Sequence, residues 1–462
     1  MALNNELHLK KENGYKSISP ENAVKMEEYC KGYMHFLSDS RTEREFVRNS
    51  IEKAEAHGFT AYVPGMQLTP GSKVYYNNRG KALTLAVIGK KDLSHGALIA
   101  AAHIDSPRFD LKPIPLFESN EIRFLKTHYY GMVKKYQWTA IPLELHGTVV
   151  LTNGEKVEIQ IGRKPGDPKF TISDLLPQLA DEQMKKSLAS GIDAEAMNIF
   201  AGTKPDSGEG SEQTKTAVLK LLNQQYGIVE EDFLSAELEA VPSFEVSEIG
   251  FDRSLIGGYG HDDRVCAYAE LQALLDVSEP EYTCVCLFAD KEECGSFGPT
   301  GMQSSYFEAF MTELCMQQGV LLHRCFEKSF CISADVCGAF DPNYTSAYEQ
   351  TNAAKLNHGV SIAKYTGAGG KFRSNDASAE TVAYLRQLFN KAGVVWQTTE
   401  VGRTDLGGGG TVAKYVSVRN IETIDAGVPV ISMHAPFEVV AKYDCFMTYK
   451  AILAHFLKDK EQ

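Results

Sequence analysis

Cys284-Val285-Cys286-Leu287-Phe288-Ala289 is an uninterrupted apolar run that delivers Asp290-Lys291-Glu292-Glu293 into a turn containing Gly295. Such a run, bounded by polar residues, predicts a strand buried on both faces, as in a sheet covered by helices. Adjacent side chains leaving a strand point to opposite sides. One of the two glutamates can therefore bind a cation while the other faces a water molecule beside it. Taken alone, the pair reads equally as a solvated acidic turn; four other segments decide against that.

Those segments are Ala102-His103-Ile104-Asp105-Ser106, His261-Asp262-Asp263-Arg264, Ala334-Asp335-Val336 and Met433-His434-Ala435. In open α/β sheets ligands collect outside the carboxyl ends of strands, and His103, Glu292, Glu293, Asp335 and His434 all occupy such ends. His103, Asp262, Glu293, Asp335 and His434 supply the nitrogen and carboxylate-oxygen ligands that zinc accepts, enough for two metal ions if one carboxylate bridges. Asp105, two residues beyond His103, is expected to orient the imidazole or an adjoining group. Asp262 follows Gly257-Gly258-Tyr259-Gly260 and precedes a helix from Arg264, where glycines permit the backbone placement that a bridging carboxylate demands; the competing reading is an Asp helix cap. Glu293 is assigned as a ligand. Glu292 is assigned as the general base, taking a proton from the activated water and delivering it to the leaving amine.

Around these segments the pattern is α/β. Apolar residues recur at helical spacing from Pro20 to Gly58, giving two helices joined around Ser38 to Arg41. Strand-like runs at Ala82 to Ile88 and Ala97 to Ala102 follow. After Gly260, helix-like stretches (Arg264 to Asp276, Ser378 to Ala392, Asp444 to Leu457) alternate with strand-like ones (Tyr282 to Ala289, Ser329 to Val336, Val394 to Glu400, Val428 to Met433), as in a helix-covered, mainly parallel or mixed sheet. Between these halves, Ile141 to Leu145, Thr148 to Leu151, an Asn153-Gly154 turn and Val157 to Ile161 read as a β-hairpin, and Gly202 to Thr214 as an exposed loop. Residues 1–113 and 250–462 are expected to form one discontinuous catalytic domain. Residues 114–249 form an inserted β-rich lid or dimerisation domain.

The chain has 462 residues, 43% of them hydrophobic, and a net charge of -13, which makes nucleic acid and anionic membranes poor partners. The first residues lack an apolar signal core, and no run of about 18 apolar residues marks a membrane span. Ten cysteines with no CxxC pair fit a reducing compartment. The expectation is a cytoplasmic protein with a small partner.

The order and combination of HxDSP at His103 and Asp105, GHDDR at Asp262, Glu292-Glu293 before Cys294-Gly295-Ser296, SAD at Asp335 and SMH at His434 resemble the aspartyl aminopeptidases, cocatalytic zinc exopeptidases, and in particular their bacterial members. The resemblance covers nearly the whole chain. It implies that Asp262 bridges two zinc ions, with His103 and Glu293 completing one and Asp335 and His434 the other, and that Glu292 activates the water. It also implies removal of the amino-terminal residue of a peptide and a homo-oligomer, a tetrahedral assembly of twelve subunits. Where some relatives carry a histidine in the inserted domain, Gln178 stands here. Manganese or cobalt are alternatives to zinc. Lys371 and Arg373 read as either a cation pair for an acidic first residue or an exposed basic turn. Gly407 to Gly410 form either a donor loop near the substrate or a turn before a helix at Thr411. The competing functions are a zinc carboxypeptidase or amidase acting on N-acylated small molecules and a non-catalytic metal-binding scaffold.

Overall fold

A computed structural model describes residues 7–9, 12–207, 212–367 and 369–458. The chain divides into two compact units: Met1–Asp105, Val246–Met433 and Glu438–Gln462 form the first, and Ser106–Glu245 with His434–Phe437 the second.

The first unit is built on a nine-stranded mixed sheet. At its centre Ala97–His103 lies parallel to Thr283–Ala289 on one side and to Phe330–Ser333 on the other, with Glu422–Gly427 parallel beyond. Ala82–Val87 runs antiparallel against Thr283–Ala289. Every residue of the Ala82–Val87, Ala97–His103 and Thr283–Ala289 strands is buried. The period of two sorts their side chains cleanly. Leu83, Leu85, Leu98, Ala100, Cys284, Cys286 and Phe288 enter one core with Tyr33, Val265, Leu271 and Phe446. Ala86, Ile99, Ala101, Val285 and Leu287 enter the other with Phe307, Phe310 and Leu314. The first core carries the helices Pro20–Asp39, His261–Leu275 and Lys442–Phe456, the second Tyr306–Gln317 and Leu322–Lys328. Ser19 caps the first of these through its Oγ, with Pro20 at the opening position where its missing N–H costs nothing.

Because these strands are parallel and in register, their carboxyl ends emerge together. His103 is paired with Ala289, and Ala334 donates its N–H to the Ala101 carbonyl at 2.9 Å. A second, five-stranded sheet holds Leu255–Gly258 against Glu438–Ala441 and leads straight into the Gly260 turn before Asp262.

The second unit is a six-stranded sheet, antiparallel throughout, in the order Lys156–Ile161, Leu143–Val150, Ala236–Pro242, Arg108–Ser119, Ile122–Tyr130, Ile199–Gly202. Its core gathers Leu145, Val149, Ile159, Ile228, Phe233 and Leu238.

Four expectations differ in detail. The second unit starts at Ser106 rather than residue 114, because Arg108–Ser119 pairs with Ala236–Pro242 and Ile122–Tyr130 and so belongs to that sheet. The runs Ile141 to Leu145 and Thr148 to Leu151 are one continuous strand, Leu143–Val150, since buried His146 and Gly147 keep their places in the ladder. Within Gly202 to Thr214, residues 208–211 lie outside the described residues, and a helix, Gln213–Tyr226, begins before the stretch ends. Glu292 and Glu293 do not leave their strand in extended form. They open a single 3-10 turn, Glu292–Cys294, after Lys291 has turned into the left-handed region.

Candidate metal centre

His103 closes its strand and is 2% exposed. Its Nδ1–H donates to the Asp105 backbone carbonyl at 3.0 Å, with the Asp105 carboxylate at 3.4 Å. With Nδ1 committed there, Nε2 is the nitrogen turned toward Asp262, 3.1 Å from its Oδ1. Two ligand atoms at about 2.0–2.1 Å from one tetrahedral zinc sit about 3.3 Å apart. The His103–Asp262 separation is therefore the one a shared cation requires.

Asp262 lies where the loop becomes helix. Asp262 and Asp263 both have non-helical dihedrals, and the peptide between them is cis. The Asp262 N–H donates to the Glu438 carboxylate at 3.1 Å, so a residue of the second sheet of the same unit fixes the position of that backbone. Arg264, fully buried, donates its Nε–H to the Ile104 carbonyl at 3.1 Å, while the Ile104 N–H donates to Ala289 O at 2.9 Å. The His103–Asp105 segment is thus tied to both the helix and the neighbouring strand.

Asp335 follows Phe330–Ser333 beside the His103 strand. His103, Asp262 and Asp335 each present a ligand atom, all within 4.8 Å of one another. This grouping corrects one expectation. His103 joins Asp335, not Glu293, because their strands are adjacent and parallel and release both side chains at one edge. Gly427 makes that placement possible: its Cα rides so close to the Asp335 backbone that a Cβ would overlap it.

The buried Asp105 carboxylate binds the turn that carries the two glutamates. Oδ1 accepts the Glu292 N–H and Oδ2 the Glu293 N–H, each at 3.1 Å. Asp105 therefore holds the His103 side chain and the glutamate turn in one geometry, a wider role than support of the imidazole alone.

The electrostatics mark a site short of positive charge. Burial, then the charge of Asp263, pushes the Asp335 carboxyl well above its ordinary range. Burial raises Glu292 as well, with His103 opposing. Asp290, buried and facing Glu43 and Asp105, is pushed up to about 7. Asp263 is raised by burial despite His103. Carboxylates crowded out of water repel one another unless a cation joins them. The donor set, nitrogen plus carboxylate oxygen, fits a divalent metal.

His434 belongs to the second unit. The Pro429–Ile431 strand stops before it, and both Ser432 and His434 are left-handed. Its Nδ1–H donates to the Met132 carbonyl at 3.1 Å. Lys371 and Arg373 are exposed; Lys371 pairs with Asp376 at 2.9 Å. Gln178 is exposed in the short Pro177–Leu179 turn.

Sequence reasoning passed over Glu438, which reads as an ordinary strand residue, and gave no role to His261 beside Asp262. His261 is fully buried against Tyr33 Oη at 2.6 Å, and burial pulls its pKa down to about 3, which makes it a neutral packing residue.

Residues 36–456 match the family model of peptidase M18, described as the aminopeptidase I zinc metalloproteases. The chain is 42% identical over 457 residues to the probable M18 family aminopeptidase 1 of Borrelia garinii, spanning 97% of this chain and 100% of that one. The crystal structure of an M18 family aminopeptidase from Thermotoga maritima superposes with a TM-score of 0.94 at 43% identity, covering 98% of this chain and 100% of the other. The mApe1 dodecamer of S. cerevisiae shares the fold at 18% identity, with a TM-score of 0.76 and coverage of 94% and 97%.

Proposed function

The chain belongs to the peptidase M18 family of zinc metalloproteases, and from that membership we propose how its own residues divide the work of an aminopeptidase. It is a peptide hydrolase; the amidase and scaffold readings fall to the family match. We propose that two divalent cations per subunit, zinc first, would be held here, with Asp262 offering a carboxylate oxygen to each. His103 and Asp335 complete one set. Glu293 and His434 would complete the other, His434 with its Nδ1–H held by the Met132 carbonyl.

When bound, the cations would supply the charge that polarises the scissile carbonyl and brings the attacking water near neutrality. Glu292 takes the proton from that water and delivers it to the nitrogen of the departing peptide. Its burial suits that exchange: a carboxylate raised above its solution value holds a proton more readily at the second step. Asp105 keeps Glu292 in register by gripping its backbone, and its carbonyl keeps His103 in the tautomer that offers Nε2. Residues 1–105 and 246–462, apart from 434–437, carry the rest of this machinery. We propose residues 106–245 as a lid or dimerisation domain.

The observation that carries the reading is the 3.1 Å approach of His103 Nε2 to Asp262 Oδ1, with Asp335 beside them. The likeness to a dodecameric relative supports a homo-oligomer, for which we propose the tetrahedral twelve-subunit form. All ten cysteines are free, in keeping with the cytoplasmic location we propose, and among the described residues no helix is long and apolar enough to cross a membrane. The test is release of amino acid from unblocked dipeptides by chelated enzyme resupplied with zinc, manganese or cobalt. Metal-dependent cleavage supports the assignment. Full activity after chelation would refute it.

A further inference from the structure

Lys414 is a lysine outside the ion pairs of the described residues. It lies in the short Ala413–Ser417 helix after the Gly407–Gly410 run and is half-buried. Among the described residues its ammonium makes no ion pair and no hydrogen bond, and rests only over the Tyr415 ring, 4.7 Å from the centroid. Lys442, more deeply buried, has anionic partners by contrast: it reaches Glu27 at 2.5 Å and Glu248 at 2.7 Å. An ammonium partly removed from water with no acceptor is unfavourable, and a ligand that brings an anion relieves the cost.

The surroundings say which ligand. Tyr415 Oη donates to the Gly295 carbonyl at 3.3 Å, which fastens the lysine's helix to the turn bearing Glu292 and Glu293. Gly410 leaves room for the head group, since a Cβ there would collide with Nζ. Glu292 serves the leaving nitrogen in the proposed mechanism, so a cation on the helix fastened to its turn is on the side of the peptide that departs.

We propose that Lys414 Nζ binds a carboxylate of the peptide on the leaving side of the scissile bond. The carboxylate is either the free C-terminus of a dipeptide or the side chain of an acidic second residue. This rests on Glu292 acting as proposed above.

The test measures kcat/KM of metal-replete wild type, Lys414→Met and Lys414→Arg on Leu-Ala, Leu-Ala amide, Leu-Asp amide and Asp-Ala amide. Wild type is expected to prefer a carboxylate-bearing substrate over Leu-Ala amide. Lys414→Met lowers that preference by about tenfold, through KM, and Lys414→Arg retains most of it. Preference for Leu-Ala identifies the C-terminus, and preference for Leu-Asp amide the side chain. An equal loss on all four substrates, or a loss confined to Asp-Ala amide, overturns the proposal. Wild type that cleaves all four with no carboxylate preference overturns it alone. Wild type that cleaves none overturns the aminopeptidase mechanism and this proposal with it.

Discussion

Asp105 accepts the backbone N–H of Glu292 through Oδ1 at 3.1 Å, and does so while its own backbone carbonyl takes the proton of His103 Nδ1. One residue thereby ties together the proposed metal ligand His103 and the group proposed to move the proton. Replacing it by asparagine removes the charge and leaves one of the two turn N–H groups facing an amide NH2. Asp105→Asn should lower kcat/KM about 10–100-fold with the metal retained, the usual cost of losing an outer partner at a metal site. Kinetics beside metal analysis check this; unaltered kinetics would remove Asp105 from the account.

Gly427 is required by the approach of the Asp335 backbone. Gly427→Ala should displace Asp335 and reduce the metal content of the folded protein, since a single Cβ cannot be accommodated without a backbone shift. The check is zinc stoichiometry of soluble, folded variant; full occupancy would show that Asp335 is not a ligand.

Leu287 is fully buried in the strand that ends at the glutamate turn. Leu287→Ala should cost about 2–5 kcal/mol, the range for a truncated core leucine. Denaturant unfolding measures it, and a loss below about 1 kcal/mol would mean the strand is not packed on both faces.

His455 is fully buried, donating from Nε2 to Ile99 O at 3.2 Å, and burial, aided by Lys458, pulls its pKa from 6.5 down to about 3. Between those values the unfolded chain binds a proton that the folded chain refuses, so its contribution is complete above about pH 6.5 and is lost as pH falls toward 3. Asp444, pushed up to about 8 by burial, works in the opposite sense, which makes the variant rather than the whole curve the test. His455→Gln should shrink the stability difference between pH 7.5 and pH 5 by roughly 1–2 kcal/mol. An unchanged difference would contradict the burial of a neutral imidazole.

The parts legible in the sequence were those written as local pattern. Ala97 to Ala102 and Cys284 to Ala289 announced doubly buried strands because nothing polar interrupts them. What the sequence hid depended on neighbours far along the chain. That His103 groups with Asp335 is a consequence of strand order, which no periodicity encodes. Glu438 positions Asp262 across 176 residues. The Gln213–Tyr226 helix sets Leu219, Leu222 and Tyr226 at helical spacing against the second unit's core, a stripe the sequence reading passed over. The 3-10 turn at Glu292 exists because Asp105, 187 residues earlier, offers two oxygens to its N–H groups.

The most direct measurement is Glu292→Gln, with kcat on an unblocked dipeptide and metal content determined on the same preparation. The account predicts a fall in kcat of about 10²–10⁴-fold, the scale of lost proton transfer, with metal content matching wild type. Wild-type turnover by the variant would contradict it.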